Sequence, residues 1–309
     1  MIAALCGGVG AARFLQGLVQ VVDPTDVTAV VNTGDDVVLH GLHVSPDLDT
    51  VIYTLAGAIS VERGWGLEGE TWAAMEALAR YRGAVTWFGL GDRDLATHLF
   101  RAHRLAQDAT LSQVTAEIAA AWGLGVTVLP MTDDRVETRM DVPGEGEIGF
   151  QDYFVRRAHA VTVRNVRFDG VEVAAPAPGV LDALARADVI VICPSNPIVS
   201  IGPVLAVPGV ADAVAARRHR VVAVSPIVAG AALKGPADRL LGELGHEVSV
   251  VGVARLYASV AATLVIDEAD AAHAPAVEAA GMHCVVAPTV MHGQAEAADL
   301  ARVVLGRLR

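Results

Sequence analysis

Four carboxylates, Asp35, Asp36, Asp47 and Asp49, fall inside Val31–Thr50, VNTGDDVVLHGLHVSPDLDT. They follow directly on an apolar run, where a strand gives way to a loop. Acids crowded at such a place repel one another unless a cation lies between them. The stretch is therefore a candidate site for a divalent metal and a phosphorylated substrate. Mg2+ takes only one or two carboxylates and fills its remaining positions with phosphate oxygens and water, so not all four acids need be ligands. Asp47 or Asp49 could equally cap a helix beginning near Thr50. His40 and His43 share the stretch and suit a transition metal, a substrate contact or a structural role.

Three further stretches carry residues of the right kind. Gly7, Gly8 and Gly10, in GGVGAA, separate an apolar strand from a helix. Glycine lets the backbone approach a ligand, and a helix start offers free N–H groups to an anion. The pattern is neither GxGxxG nor a P-loop, and a tight turn explains it as well. Gly89–His98, GLGDRDLATH, sets Arg93 between Asp92 and Asp94, as a surface ion cluster or as a means of positioning substrate. Pro194–Pro203, PSNPIVSIGP, joins rigid prolines to the polar groups of Ser195, Asn196 and Ser200, as a nucleotide pocket or a structured turn. Ser225-Pro226 and Thr132-Asp133-Asp134 are weaker versions of the same theme. No Ser-His-Asp elbow or Cys-His pair is present, and Cys193 reads as a core residue.

The elements that position these stretches follow from the apolar runs. Met1–Leu5, a helix to about Val22 and Val27–Asn32 make a βαβ opening. Helical patterns cover Leu48–Arg82, interrupted by a GWG turn before Thr71–Ala79, and then Leu95–Arg104, Ser112–Trp122, Leu181–Ala187, Ala237–Leu244, Ala254–Thr263 and Ala295–Leu308. Strands are expected at Val85–Leu90, Val126–Pro130, Asp188–Cys193, Val221–Val224, Val248–Val251 and Leu264–Ile266. The expected fold is α/β: a Rossmann-like, mostly parallel sheet with helices on both faces and a smaller inserted α+β region. Residues 1–135 and 174–309 form the nucleotide-binding core, and 136–173 a small β-rich insertion. Ligands of such sheets gather at the carboxyl ends of the strands, where the glycine and acidic stretches both fall.

Composition narrows the function. The chain has 309 residues, 53% hydrophobic and 19% charged, which is ample for a core. A net charge of −12 argues against duplex nucleic acid as partner. Only Lys234 among 23 basic side chains is a lysine, so a phosphate must be met by backbone, arginine or metal. Three scattered cysteines fit a reduced compartment. The start lacks a signal peptide, and no apolar run approaches a membrane span; a cytoplasmic protein is expected. A Rossmann oxidoreductase would carry GxGxxG and an acid ending the second strand, where this chain has Asn32.

GGVGAARF, VNTGDD, SPDLDTVIYTLAG, FGLGDRDLATH, LPMTDD, FQDYFV, PSNPIVSIGP and SPIVAG, in this order, resemble the 2-phospho-L-lactate transferase family of coenzyme F420 biosynthesis. The resemblance spans about Met1 to Val253, and GWG, ETW and WFGLGDRD resemble its actinobacterial phosphoenolpyruvate transferase branch. It implies a Mg2+-dependent transfer of a phosphoenolpyruvyl or 2-phospho-L-lactyl group. The donor would be guanosine-diphosphate-activated, and the acceptor the terminal ribityl hydroxyl of the deazaflavin Fo. By the resemblance, Gly7, Gly8, Gly10, Ala11, Asn32, Ser195, Asn196 and Pro197 hold the donor nucleotide. Asp35, Asp36 and Asp49 serve the metal, Asp49 and Arg93 contact the deazaflavin, and Asp47, Asp49 and Arg93 are the catalytic candidates. It also implies a homodimer. A related branch binds nucleotide sugars and regulates; the intact PDLDT and GDRDLATH favour the enzyme.

Overall fold

The computed structural model describes residues 1–306. Seven strands form the central sheet: β1 Ile2–Cys6, β2 Val27–Val31, β3 Thr127–Pro130, β4 Val189–Ile192, β5 Val221–Val224, β6 Thr263–Ile266 and β7 His283–Val286. Their order is β7-β6-β5-β4-β1-β2-β3, and every pairing is parallel. The central strands are Val-, Ile- and Ala-rich and buried throughout, as a parallel sheet covered on both sides requires. Alternate residues feed two cores. Leu5, Val30, Ile190 and Ala223 pack toward the helices Val180–Arg186 and Val250–Tyr257. Ala4, Val31, Val191 and Val222 pack toward Gly8–Leu18, Pro46–Leu55, Leu111–Ala121 and Gln294–Gly306. The Rossmann-like α/β expectation holds, with helices on both faces.

The chain steps from β1 outward to β3, returns to β4 beside β1, and then steps the other way. The reversal opens a crevice beyond the carboxyl ends of β1 and β4, where ligands of open α/β sheets bind. The glycine turn leaves β1 at this point and PSNPIVSIGP leaves β4.

A three-stranded antiparallel sheet, Glu137–Val142 flanked by Gly146–Gly149 and Asn165–Asp169, packs at the same end. Thr138 donates its backbone N–H to the Gly34 carbonyl at 2.7 Å, and the Gln151 side chain donates to the Asp35 carbonyl at 2.8 Å.

Two expected strands are absent. Val85–Leu90 is irregular chain. Its apolar residues are used sideways, Leu90 in a small cluster with Val44 and Met75, while the Gly89 and Gly91 backbones lie against Trp65, Trp72 and Glu70. Gly89–His98 thus does not sit at a strand end. Val248–Val251 is the start of a helix, Val250–Tyr257, because the Ser249 hydroxyl accepts from the N–H groups of Val251 and Gly252, both at 3.1 Å. The helix that follows the acidic stretch begins at Pro46, not near Thr50. Of the expected tail helix, residues 295–306 lie within Gln294–Gly306; Arg307 and Leu308 are outside the described residues. Among the described residues no single helix is long and apolar enough to cross a membrane.

Candidate active site

The acidic stretch is folded back on itself. Asp35 and Asp36 occupy the turn after β2, and then Val37–Leu39 and Leu42–Val44 form a hairpin. Its His40-Gly41 turn has φ of 53° and 79°, a left-handed pair that tightens a two-residue loop. The Pro46–Leu55 helix follows with Pro46 in its first turn, Asp47 and Asp49 beside it. Both acids gain from the helix N-terminus. Two residues apart on a helix, they face different ways, and their surroundings differ.

Asp47 turns to the crevice. Its Oδ2 accepts from Asn32 Nδ2 at 2.9 Å, and its Oδ1 is the one atom within 4 Å of where a Gly8 Cβ would be, at 3.8 Å. Burial raises its pKa to about 6, against the hydrogen bond from Asn32; Asp36 adds to the rise and the Gly8 N–H opposes it. Asp35 is buried, which lifts its carboxyl well above the ordinary value, with Asp47 reinforcing the effect. Asp36 is raised chiefly by burial, although its Oδ2 accepts from His43 Nε2 at 2.8 Å and Ser45 Oγ at 2.7 Å. Oδ1 of Asp35 and Oδ1 of Asp36 are both buried without a hydrogen-bond partner. Buried carboxylate oxygens left this way lack the compensation burial demands, and a divalent cation supplies it.

Asp49 turns the other way, into the Asp94–Leu105 helix. Both its oxygens accept from the Arg101 guanidinium, which is 1% exposed. His98 stands between two acids, with Nδ1 3.7 Å from Asp49 and Nε2 3.3 Å from Asp94. Tyr53 donates to Asp94 at 2.6 Å. Burial pushes the Asp94 carboxyl up, yet His98, Tyr53 and Arg101 together bring it below the ordinary value. Burial disfavours the Arg101 charge, and Asp49 more than restores it. Asp49, Asp94 and His98 bring ligand atoms within 4.8 Å of one another. A guanidinium already spans Asp49, and its charge reaches Asp36 as well; the other candidates for a metal are Asp35 and Asp36, whose Oδ1 atoms have no partner.

The glycines are set by packing as much as by ligand. A Cβ on Gly10 would lie 2.0 Å from the Pro194 carbonyl, and one on Gly7 2.6 Å from Ser200 Cβ. Ser195 Oγ donates to the Gly7 carbonyl at 2.8 Å. The loops after β1 and β4 are therefore locked together. Gly8 has φ +68 and only the Asp47 carboxylate before it. Ala11 is buried behind it. Asn32 is wholly buried and its amide is spent inside the protein, Oδ1 accepting from Gly34 N–H at 2.8 Å. Asn196 caps the turn beginning at Pro197, its Oδ1 accepting from Ile198 and Val199 N–H, while its buried Nδ2 has no partner.

Arg93 is separate from Asp49 in its contacts. It is exposed, and its guanidinium bonds the Glu68 carbonyl. His40 bonds the Val85 carbonyl at 2.8 Å. Asp133 holds the start of the Leu111–Ala121 helix through Ser112, and Asp134 holds Ala175 N–H; both serve structure. Cys193 is buried with Cys6, sulfurs 3.6 Å apart, as a core residue should be. Sequence reasoning named Asp94 only as a flank of Arg93 and His98 only as the end of that stretch, and it missed Tyr53 and Arg101. The available signal was spacing: Asp94, His98 and Arg101 recur at i, i+4 and i+7, one face of a helix.

A family model described as 2-phospho-L-lactate transferase CofD matches residues 2–290. A phosphoenolpyruvate transferase of Kitasatospora aureofaciens is 48% identical over 98% of this chain and 96% of its own. One of Streptomyces griseus is 47% identical over 98% and 97%, and one of Nocardia farcinica 44% over 98% and 95%. Among solved structures, protein BH3568 of Bacillus halodurans, of the UPF0052 family, shares the fold with a TM-score of 0.63. It is 17% identical over 98% of both chains. A match over nearly the whole chain, with relatives this similar, means that the chain belongs to the 2-phospho-L-lactate transferase CofD family.

Proposed function

We propose that this chain moves a phosphoenolpyruvyl group, or 2-phospho-L-lactyl in its place, from a guanosine-diphosphate-activated donor to the terminal ribityl hydroxyl of the deazaflavin Fo. The products are (dehydro-)F420-0 and GMP. Family membership carries the class of reaction, a transferase of coenzyme F420 biosynthesis. The names of the relatives favour the enolpyruvyl donor. The observation that carries the reading is the pair of unpartnered buried oxygens on Asp35 and Asp36 at the carboxyl edge of the sheet, next to the glycine turn.

In this reading Asp35 and Asp36 hold Mg2+, which neutralises diphosphate charge when bound. Asp49, expected as a third ligand, keeps Arg101 and instead fixes the helix that presents Asp47. Gly7, Gly8, Gly10 and Ala11 bring backbone close to the donor, and the free Nδ2 of Asn196 offers it a hydrogen bond. Ser195, Pro197 and Asn32 hold these loops in place. The acceptor hydroxyl attacks the distal phosphorus, the bridging P–O bond breaks, and GMP leaves. Asp47 accepts the hydroxyl proton: a carboxyl with pKa about 6 is ionised at neutral pH and basic enough to help. Arg93, exposed at the start of the Asp94–Leu105 helix, contacts the acceptor. A homodimer and a cytoplasmic location complete the reading.

Purified protein with Fo, Mg2+ and each guanosine-diphospho donor, read by mass spectrometry, tests it. Dehydro-F420-0 from the enolpyruvyl donor is expected. No product from either donor refutes the transferase reading. NAD(P)H binding without GDP binding would replace it with an oxidoreductase.

A further inference from the structure

Beside the acidic pair lies a cleft of about 160 Å3, walled by the three-stranded sheet. Asp35, Asp36, Glu137, Arg139, Phe150 and Trp87 are among the residues that line it. The volume is below the roughly 300 Å3 at which drug-sized ligands begin to fit, so a three-carbon acid suits it better than a tricyclic deazaflavin.

The charges are uneven. Four carboxylates line the cleft, those of Asp35, Asp36, Glu137 and Asp152, and one cation, Arg139. Asp152 is drawn away by Arg156 at 3.1 Å and Arg157 at 2.6 Å. Glu137 is shared between Arg135 at 2.8 Å and Arg139 at 2.6 Å. Arg139 spends only Nη1 on that bond. Its Nε and Nη2 have no acceptor among the described residues, and they form the planar fork that meets a carboxylate with two bonds. Gly149 faces Arg139 across the antiparallel pair. A Cβ there would stand 3.1 Å from Glu137 Oε1 and 3.9 Å from Arg139 Nη1, so glycine leaves room for the Glu137–Arg139 pair that holds the guanidinium in place.

On the proposed reaction, the group transferred carries a carboxylate close to the distal phosphate, whether it is enolpyruvyl or lactyl. In a cleft of acids that carboxylate is repelled unless a cation receives it. We infer that Arg139 binds the carboxylate of the transferred group and thereby distinguishes the donor from GDP. This rests on the transferase reading.

The test compares binding of the enolpyruvyl donor and of GDP, each with Mg2+, to the wild type, Arg139→Met and Arg139→Lys by calorimetry. The melting temperature of each variant serves as the control for folding. The wild type is expected to prefer the donor, and Arg139→Met to lose about tenfold to hundredfold in donor affinity. GDP affinity should change less than about twofold, and Arg139→Lys should recover part of the loss. Equal binding of donor and GDP by the wild type would overturn the inference. So would equal losses for both ligands in Arg139→Met, which would mark a structural role. Turnover is read separately: a wild type that prefers the donor through Arg139 but makes no product refutes the transferase reading and leaves the carboxylate subsite standing.

Discussion

The two aspartates of PDLDT, two residues apart on one helix, live in opposite electrostatic worlds. On the Asp49 side every charge has an answer: Arg101 spans Asp49, His98 stands between Asp49 and Asp94, and Tyr53 bonds Asp94. On the Asp47 side the buried carboxyls of Asp35 and Asp47 and the nearly buried one of Asp36 all have raised pKa, and Oδ1 of Asp35 and of Asp36 is unpartnered. Both sides leave buried groups unpartnered, but on the Asp49 side these are nitrogens, Nε2 of His98 and Nε of Arg101, among carboxylates already paired, whereas on the Asp47 side they are carboxylate oxygens, which a cation satisfies. On the proposed reading, this difference assigns the Asp49 side to scaffold and the Asp47 side to chemistry.

The largest expected effect is on turnover. Asp47→Asn should cut kcat by about 10²- to 10⁴-fold while its melting temperature holds or rises, since a buried charge is removed. Near-normal kcat would take the proton-accepting role from Asp47. Next comes Arg101→Met, which strands Asp49 in the interior. Removing one partner of a buried pair costs about 3–5 kcal/mol, read as a shift in the denaturant midpoint; a loss under about 1 kcal/mol would mean the two sides differ less than their contacts indicate.

The third prediction concerns pH. Asp47 holds its proton to about pH 6 when folded, against an ordinary 3.8. The folded state therefore binds more protons in that window, and stability falls as pH rises from about 4 to above 6, by on the order of 3 kcal/mol. Asp35 and Asp36 act in the same direction. Denaturation with urea from pH 4 to 7.5, without Mg2+, should show this decline, and added Mg2+ should lessen it. Stability that rises with pH through that window would contradict the picture of uncompensated acids. The smallest effect is that of Tyr53→Phe, which loses one hydrogen bond to a charged acceptor, about 1.5–3 kcal/mol at most, and should leave donor affinity unchanged.

Much of the scaffold was legible because parallel strands buried on both faces are continuous apolar runs, as at Val221–Val224 and Val189–Ile192. Gly7–Gly10 and PSNPIVSIGP announced the carboxyl edge of the sheet for the same reason. Val85–Leu90 misled, since an apolar run declares packing but not pairing: only Leu90 is buried, with Phe88 half-buried against the same small cluster. Val248–Val251 misled because a capping serine at its second position outweighed its β-branched content. The crowd of acids was visible; its division was not. Arg101 lies 52 residues from Asp49 in sequence, in a chain where arginine is nearly the only cation, so nothing local marked it as the partner. The helix it sits on even turns Leu99 and Phe100 outward and its polar residues in, the reverse of an ordinary surface helix.

The division between the two sides is tested most directly by the Mg2+-dependent rise in melting temperature, measured with GDP at pH 7.5 for the wild type, Asp35→Asn and Asp94→Asn. The account predicts that the rise is lost in Asp35→Asn and kept in Asp94→Asn. A rise kept in Asp35→Asn and lost in Asp94→Asn would put the metal among Asp49, Asp94 and His98 and contradict it.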